Sequence, residues 1–208
     1  MQNVLQSSPG SMGAFALATT NRVALCGKTG SGKTFLVRAL LSTVQRVVVA
    51  DPKGTLTSWG LTDWNGNPKA LKQDMYRLRI PAPLDGDWEP YCAAIYQQGD
   101  VLLYIDEMYG VVPPGKRLPP YLNALYTRGR ELGIGVWAAT QRPAWVPLVM
   151  LSEAEWIVTF RLQLESDRQR IAAIVGEKVL ARVPDKYGFW LYNAEWDNPV
   201  YCKQLHVR

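Results

Sequence analysis

The sequence predicts a three-layer α/β domain built on a mainly parallel sheet, and three observations predict it. Five compact apolar runs, at residues 22–26, 46–50, 101–105, 135–140 and 156–160, alternate with segments of helical spacing. Short apolar runs bounded by turn signals suit strands covered on both faces, and their alternation with helices suits parallel pairing. Four of the runs end at Gly27, Asp51, Asp106 and Gln141. In a parallel sheet such residues converge on one crevice beyond the carboxyl ends of the strands, where ligands bind. Finally, the 208 residues are 48% hydrophobic and 20% charged, enough apolar material for one packed core.

Taken in order, residues 1–13 are small and polar and predict a loose arm, followed by a short edge strand at 14–17. The run 22–26 meets a glycine-rich turn. A helix is then predicted from Gly32 to about Thr43, where Phe35, Leu36, Ala39 and Leu40 recur with helical spacing. Asp51-Pro52 stops the second strand. Residues 54–90 are rich in Trp, Gly, Pro and Asp and predict an irregular excursion, with one short strand at 76–80. A short helix is expected at 91–98. A proline-rich loop, 111–120, leads into a helix through about Leu132 that Gly133 caps. The last helix, 167–175, takes Ser166 as its N-cap and Gly176 as its stop. Alternating residues at 187–192 and 200–205 predict a C-terminal β-hairpin. With no internal repeat, residues 1–208 read as one domain.

Composition narrows the function classes. The net charge of +5 suits a polyanionic partner but is too small to specify one. Cys26, Cys92 and Cys202 are widely spaced, and form neither a metal-ligand pattern nor a disulfide framework. Cys26 ends an apolar run and reads as buried filler. The lone His206, near the end of the chain, is a poor catalytic candidate. No stretch approaches the ~18 consecutive apolar residues of a membrane span, and no charged region precedes an apolar signal core. A soluble chain is expected, still able to dock on a membrane through a partner.

Chemistry concentrates at Gly27-Lys28-Thr29-Gly30-Ser31-Gly32-Lys33-Thr34, which fits the full phosphate-loop (P-loop) pattern between a strand and a helix. Its glycines let backbone N–H groups curl around phosphate oxygens, and the helix start adds a positive dipole end. Lys33 reaches the β- and γ-phosphates of ATP, and the Thr34 hydroxyl holds Mg2+. At the end of the run 101–105, Asp106 is placed to bind Mg2+ and Glu107 to polarise an attacking water as general base. An acidic cap on the turn is the plainer reading of that pair. A carboxylate that activates water favours hydrolysis over transfer to a small acceptor. Gln141, after a separate strand, either contacts the γ-phosphate or the water, or simply bonds the backbone of its own turn.

With these residues in place, the chain resembles the FtsK/HerA superfamily of DNA-pumping ATPases. Within it, the short length is similar to the genome-packaging ATPases of membrane-containing icosahedral viruses, including tectiviruses. The resemblance spans roughly residues 22–176. The P-loop and the Asp106-Glu107 strand are common to many enzymes. More specific are Asp51-Pro52-Lys53-Gly54 after the second strand, and Thr127-Arg128-Gly129-Arg130-Glu131-Leu132-Gly133-Ile134-Gly135 leading through a strand to Gln141-Arg142-Pro143.

The resemblance implies a RecA-like core, Gln141 as sensor, and a ring, usually a hexamer, with nucleotide held between subunits. It places Asp51 near the nucleotide, although Asp51 serves equally well as a cap on the turn begun by Pro52. It offers Arg130, or alternatively Arg128, to the neighbouring site. Charge offset at a helix C-terminus is the competing role for both arginines. FtsK's large partner domains, a base-reading module and the membrane helices of coupling proteins have no counterpart, which implies a minimal motor. Double-stranded DNA and capsid or portal-vertex proteins are then its partners, in the host cytoplasm or at the virion vertex.

Such a motor grips phosphates without reading bases. Lys116-Arg117 and the group Lys53, Lys69 and Lys72 are candidate contacts, although solvated surface cations are the commoner case. The eight Trp residues suit core or interface packing, with Trp59, Trp64 and Trp88 placed in the irregular excursion. A small-molecule kinase would need an arginine-rich lid, of which the sequence has no clear sign. A nucleotide-gated assembly protein would not need complete hydrolytic residues.

Overall fold

The computed structural model describes residues 2–5 and 15–203. The first elements are β1 (Gln2–Leu5), β2 (Phe15–Ala18), β3 (Arg22–Cys26), α1 (Lys33–Leu41), β4 (Arg46–Asp51), β5 (Thr62–Asp63) and β6 (Tyr76–Pro81). Then come α2 (Glu89–Gln98), β7 (Leu102–Ile105), α3 (Met108–Val111), α4 (Pro120–Arg128) and β8 (Gly135–Thr140). The chain finishes with α5 (Leu148–Ser152), β9 (Trp156–Phe160), α6 (Glu165–Val175), β10 (Phe189–Asn193) and β11 (Val200–Cys202).

Nine strands form one sheet in the order β11-β10-β9-β3-β8-β7-β4-β6-β5. From β9 to β5 every neighbour is parallel, and β10 with β11 adds an antiparallel hairpin on the β9 edge. The expected α/β architecture, its mainly parallel sheet and its C-terminal hairpin are all present.

Strand alternation divides the core in two. Val47, Val49, Leu102, Tyr104 and Trp137 face one side, where Leu36, Val37, Leu40 and Leu41 of α1 cover them. Val48, Ala50, Leu103, Ile105 and Ala138 face the other, against Ile95 of α2, Leu122 and Leu125 of α4, Met150 of α5 and Ile171 of α6. Each buried Val, Leu, Ile or Met among them contributes about 1.5–3 kcal/mol by leaving water. Central strands buried on both faces explain why the sequence reads there as unbroken apolar runs.

Several expectations change. Residues 2–5 of the expected loose arm form β1, paired to β2 with Gln2 opposite Ala18 and Leu5 opposite Phe15. The edge strand lies at Phe15–Ala18 rather than 14–17, and its partner is β1 instead of the main sheet. The rest of the 1–13 arm lies outside the described residues, as do His206 and residues 204–205 of the expected hairpin. The region 54–90 is no mere excursion, for it supplies β5 and β6 to the main sheet, and β6 pairs along all of β4. Its aromatics explain the order: Trp64 and Trp88 are buried in the core, and Trp59 stacks on Tyr104 with ring centroids 6.1 Å apart. Ser166 is not an N-cap, because α6 begins two residues earlier than expected, at Glu165, with Leu164 in the N-cap position.

The signature segment 127–135 also has a structural explanation. Helix α4 ends at Arg128, a single 3-10 turn follows over Gly129–Leu132, and Gly133 stops it at φ 70. Gly135 then starts β8 against the backbone of the 19–21 turn. A Cβ there would lie 1.9 Å from the Thr19 carbonyl oxygen and 3.0 Å from that of Asn21. Neither obstacle is a flexible side chain, so the backbones must separate to admit a methyl group. Gly135→Ala is therefore expected to lower unfolding free energy by about 3 kcal/mol, at the upper end of overpacking costs. Urea denaturation would show it as a lowered midpoint with an unchanged slope.

Candidate nucleotide site

The P-loop is fixed by the strands that flank β3. Beyond Cys26, the Gly27 N–H donates to the Thr140 carbonyl (3.1 Å) and the Lys28 N–H to the Arg161 carbonyl (2.9 Å). The loop is thus tied to the ends of β8 and β9 before it turns into α1. Gly32 makes that turn at φ 110, a left-handed conformation, and no side chain caps the helix. A Cβ at Gly32 would also meet the Tyr187 ring at 3.3 Å. An uncapped helix start directs its first N–H groups, and the positive end of its dipole, at whatever lies in the loop.

Lys33 is 7% exposed, and its ammonium donates to the carbonyls of Gly27 and Lys28. Burial pulls its pKa below 10.5, while the nearby Glu107 charge pushes the other way. The Ser31 hydroxyl is buried without a hydrogen-bond partner. Buried polar atoms are rarely left so, and an anion in the loop would supply an acceptor.

Across the cleft, β7 delivers two carboxylates. Asp106 accepts a hydrogen bond from the Tyr104 hydroxyl at 2.8 Å. Burial raises its pKa, and the Tyr104 bond and the Lys53 charge oppose the rise. Glu107 is only 1% exposed and is held at both oxygens. Oε2 accepts from the Lys53 ammonium at 3.0 Å and Oε1 from the Gln141 N–H at 3.2 Å. Because β8 lies between β3 and β7, Gln141 at its end stands between the loop and the carboxylates. Its side-chain Oε1 accepts from the Thr29 hydroxyl at 2.7 Å, so one residue touches both the P-loop and, through its backbone, Glu107.

These groups line a cleft of about 460 Å³, with Thr29, Gly30, Ser31, Gly32, Lys33 and Thr34 on one wall. Asp106, Glu107 and Gln141 form part of the rest. Loop residues 29–34, both carboxylates and the strand-end glutamine are thus brought together, whereas the expected Gly27 and Lys28 do not line the cleft and instead accept hydrogen bonds from the Lys33 ammonium on their carbonyls. Phe35 and Tyr187 also reach the cleft, and both rings are exposed.

Two further expected residues are placed elsewhere. The Asp51 carboxylate, 0% exposed, does not line the cleft. It caps its own turn, accepting from the N–H groups of Thr55 (3.1 Å) and Leu56 (2.9 Å) and from Arg79 (3.3 Å). Arg130 is 67% exposed and pairs with Glu155 at 2.8 Å. That pair lies where the parallel strands begin, since the Glu155 N–H bonds the carbonyl of Arg22 at the start of β3. Arg130 therefore sits at the edge of the sheet opposite its own P-loop. Arg128 stands over the Tyr96 ring, 5.7 Å from its centroid.

Lys53 is the residue that the sequence reading misplaced. It looked like a surface cation for DNA, yet it faces Glu107 inside the cleft, and Thr55 of the same turn lines the cleft beside it. The available signal was the turn Asp51-Pro52-Lys53-Gly54 at the end of β4, which pairs with β7 and so brings the turn beside Asp106-Glu107. Lys69, Lys72, Lys116 and Arg117 are exposed, away from the cleft.

No family model matches the chain. Among curated proteins it is 30% identical over 163 residues to the DNA packaging ATPase P9 of Enterobacteria phage PRD1, which covers 74% of this chain and 70% of that protein. Among solved structures it is similar to the genome packaging NTPase B204 of Sulfolobus turreted icosahedral virus 2, in complex with AMPPCP. There the TM-score is 0.77 at 18% identity, over 91% of this chain and 100% of that one. VirB4 of Thermoanaerobacter pseudethanolicus gives a TM-score of 0.70 at 11% identity, over 99% of this chain and 96% of that one. At such low identity the two structures establish a shared fold.

The Asp51 arrangement has a direct consequence. Asp51→Ala orphans two backbone donors and leaves the Arg79 guanidinium with Asp63 alone, and should cost about 3 kcal/mol of stability. Chemical denaturation would register that loss, and Asp51→Asn should recover part of it by keeping an acceptor for one of the N–H groups.

Proposed function

The chain belongs to the family of viral DNA-packaging ATPases, and we propose that it hydrolyses ATP to drive double-stranded DNA into a preformed capsid. One observation carries this reading. The P-loop, the pair Asp106-Glu107 and Gln141 meet in a single cleft, with Glu107 positioned by contacts on both oxygens.

In this reading the triphosphate lies in the loop, with Lys33 against the β- and γ-phosphates and the backbone N–H groups of the loop and helix start around them. Phe35 and Tyr187 offer their rings to the nucleobase at the open end of the cleft. Among the described residues no group of three or more His, Cys, Asp or Glu gathers to hold a metal ion. One hydroxyl and one carboxylate, Thr34 and Asp106, do face the cleft, a donor set that fits Mg2+, which keeps several waters and shares phosphate oxygens. When bound there, Mg2+ would neutralise charge on the β- and γ-phosphate oxygens.

Glu107 takes a proton from water as the water oxygen attacks the γ-phosphorus. The bond from that phosphorus to the β,γ-bridging oxygen breaks, leaving ADP and phosphate. Gln141, in contact with both Thr29 and Glu107, relays the state of the γ-phosphate to the strand beneath it.

A ring of subunits completes the reading. Arg130 lies too far round the sheet to serve its own cleft, which suits delivery to a neighbour's γ-phosphate. Lys116, Arg117, Lys69 and Lys72 supply exposed charge for the DNA backbone, which binds without base readout. Capsid or portal-vertex proteins are the further partners, in the host cytoplasm or at the virion vertex. Among the described residues no helix is long and apolar enough to cross a membrane.

Duplex DNA should raise the steady-state ATPase rate of the assembled protein; a rate indifferent to DNA in every assembly state would refute translocation. Glu107→Gln should retain ATP binding while turnover falls by roughly 10²-fold or more, as expected when a general base is lost. Arg130→Ala should bind nucleotide normally yet hydrolyse poorly. Mixing it with a Lys33→Ala chain should restore turnover if the arginine acts between subunits, and a purified monomer hydrolysing at full rate would exclude that role.

A further inference from the structure

The cleft contains a second lysine that the hydrolytic scheme does not use. Lys53 sits on the turn after β4, and Asp51 and Arg79 hold that turn from below. Its backbone is therefore fixed, while its ammonium rests on a long flexible stem and remains partly exposed. The ammonium lies 3.0 Å from Oε2 of Glu107, a carboxylate that is otherwise buried. The second oxygen is held by the Gln141 N–H. Each oxygen of the proposed base thus carries one hydrogen bond, and with the carboxylate 1% exposed, water has no open approach to it while Lys53 is in place.

Only one of those two contacts can be exchanged without moving a strand. The Gln141 N–H belongs to the backbone at the end of β8, whereas the Lys53 ammonium can rotate away. Lys33 and the P-loop line the same cleft, so a γ-phosphate would enter within the field of Lys53. A terminal phosphate carries more charge than one carboxylate and presents several acceptor oxygens, so it competes well for an ammonium.

We propose that Lys53 is a γ-phosphate sensor that latches Glu107: it pairs with the carboxylate until a triphosphate arrives, then transfers to the γ-phosphate and frees Oε2 for the attacking water. ADP, without a γ-phosphate, leaves the latch closed. The inference rests on the ATPase reading of the cleft and adds to it a reason for hydrolysis to wait for a fully seated triphosphate. No bond is made or broken in the switch, and one ion pair replaces another.

Calorimetric titration with a methylene-bridged ATP analogue and with ADP, both with Mg2+, tests it. Lys53→Met should weaken the analogue about tenfold and leave ADP within about twofold, the scale of one charge-assisted hydrogen bond. Lys53→Arg should restore most of the difference. Glu107→Gln, which removes the competitor for the ammonium, should tighten the analogue several-fold, and the gain should vanish in the double variant with Lys53→Met. Equal losses for analogue and ADP, or a Glu107→Gln gain that survives without Lys53, would overturn the latch while leaving the ATPase reading intact. Failure of the parent protein to bind either nucleotide would instead overturn that reading.

Discussion

Parallel pairing of β3, β8 and β7 is the constraint on which the site depends. Cys26 lies opposite Thr140, and Ile105 opposite Ala138, so the three strands end at nearly the same level. Each then releases its polar residues on the same edge of the sheet: the P-loop from β3, Gln141 from β8, and Asp106-Glu107 from β7. The insertion of β8 between the other two sets the width of the cleft. It also makes Gln141 the bridge between the P-loop and Glu107, because its side chain faces Thr29 while its backbone faces Glu107. A slip of one residue in β8 would reverse every side chain on it, exchanging Trp137 and Ala138 between the two cores.

The turn after β4 is held in place by a separate, buried electrostatic arrangement. Asp51 contacts no ligand-facing atom, yet it fixes the 51–56 turn and draws in Arg79, whose guanidinium also engages Asp63 of β5. Charge is thereby spent on geometry one layer below the cleft, and Lys53 and Thr55 present their side chains from a rigid support. The pair of buried Asp167 with the partly exposed Arg142 acts similarly at the end of β8. Asp167 also accepts from the Ala144 N–H and fixes the chain just beyond Gln141.

Much of this was legible in the sequence. The P-loop and the acidic strand end are local patterns whose chemistry requires those residue types in that order, so reading them needs no tertiary information. The parallel sheet followed from unbroken apolar runs, because strands buried on both faces show no alternation. What escaped was decided by packing at a distance. Lys53 is indistinguishable from a solvated lysine until β4 is paired with β7. The strand at 76–80 was legible, with Tyr76, Leu78 and Ile80 buried and Arg77 and Arg79 partly buried on the other face, but its pairing along all of β4 in the main sheet was not. Asp51 could bind a ligand or cap a turn on sequence grounds alone, and the position of the Thr55 and Leu56 donors decides for the cap. The 127–135 segment carries three glycines, Gly129, Gly133 and Gly135. At Gly135 the need is steric, set by a turn more than a hundred residues earlier in the chain.

The two borders of the main sheet are both poor templates for adding another strand. One ends in the two-residue β5, where Asp63 is already paired with Arg79, and the other in the three-residue β11 of an antiparallel hairpin. Short, charged or folded-back borders resist edge-to-edge pairing. A second copy brought against either border of this sheet would meet side chains rather than extend its backbone ladder. Contacts of that kind can slide and re-form at small cost, which is the mechanical freedom that a machine cycling against a moving polymer requires.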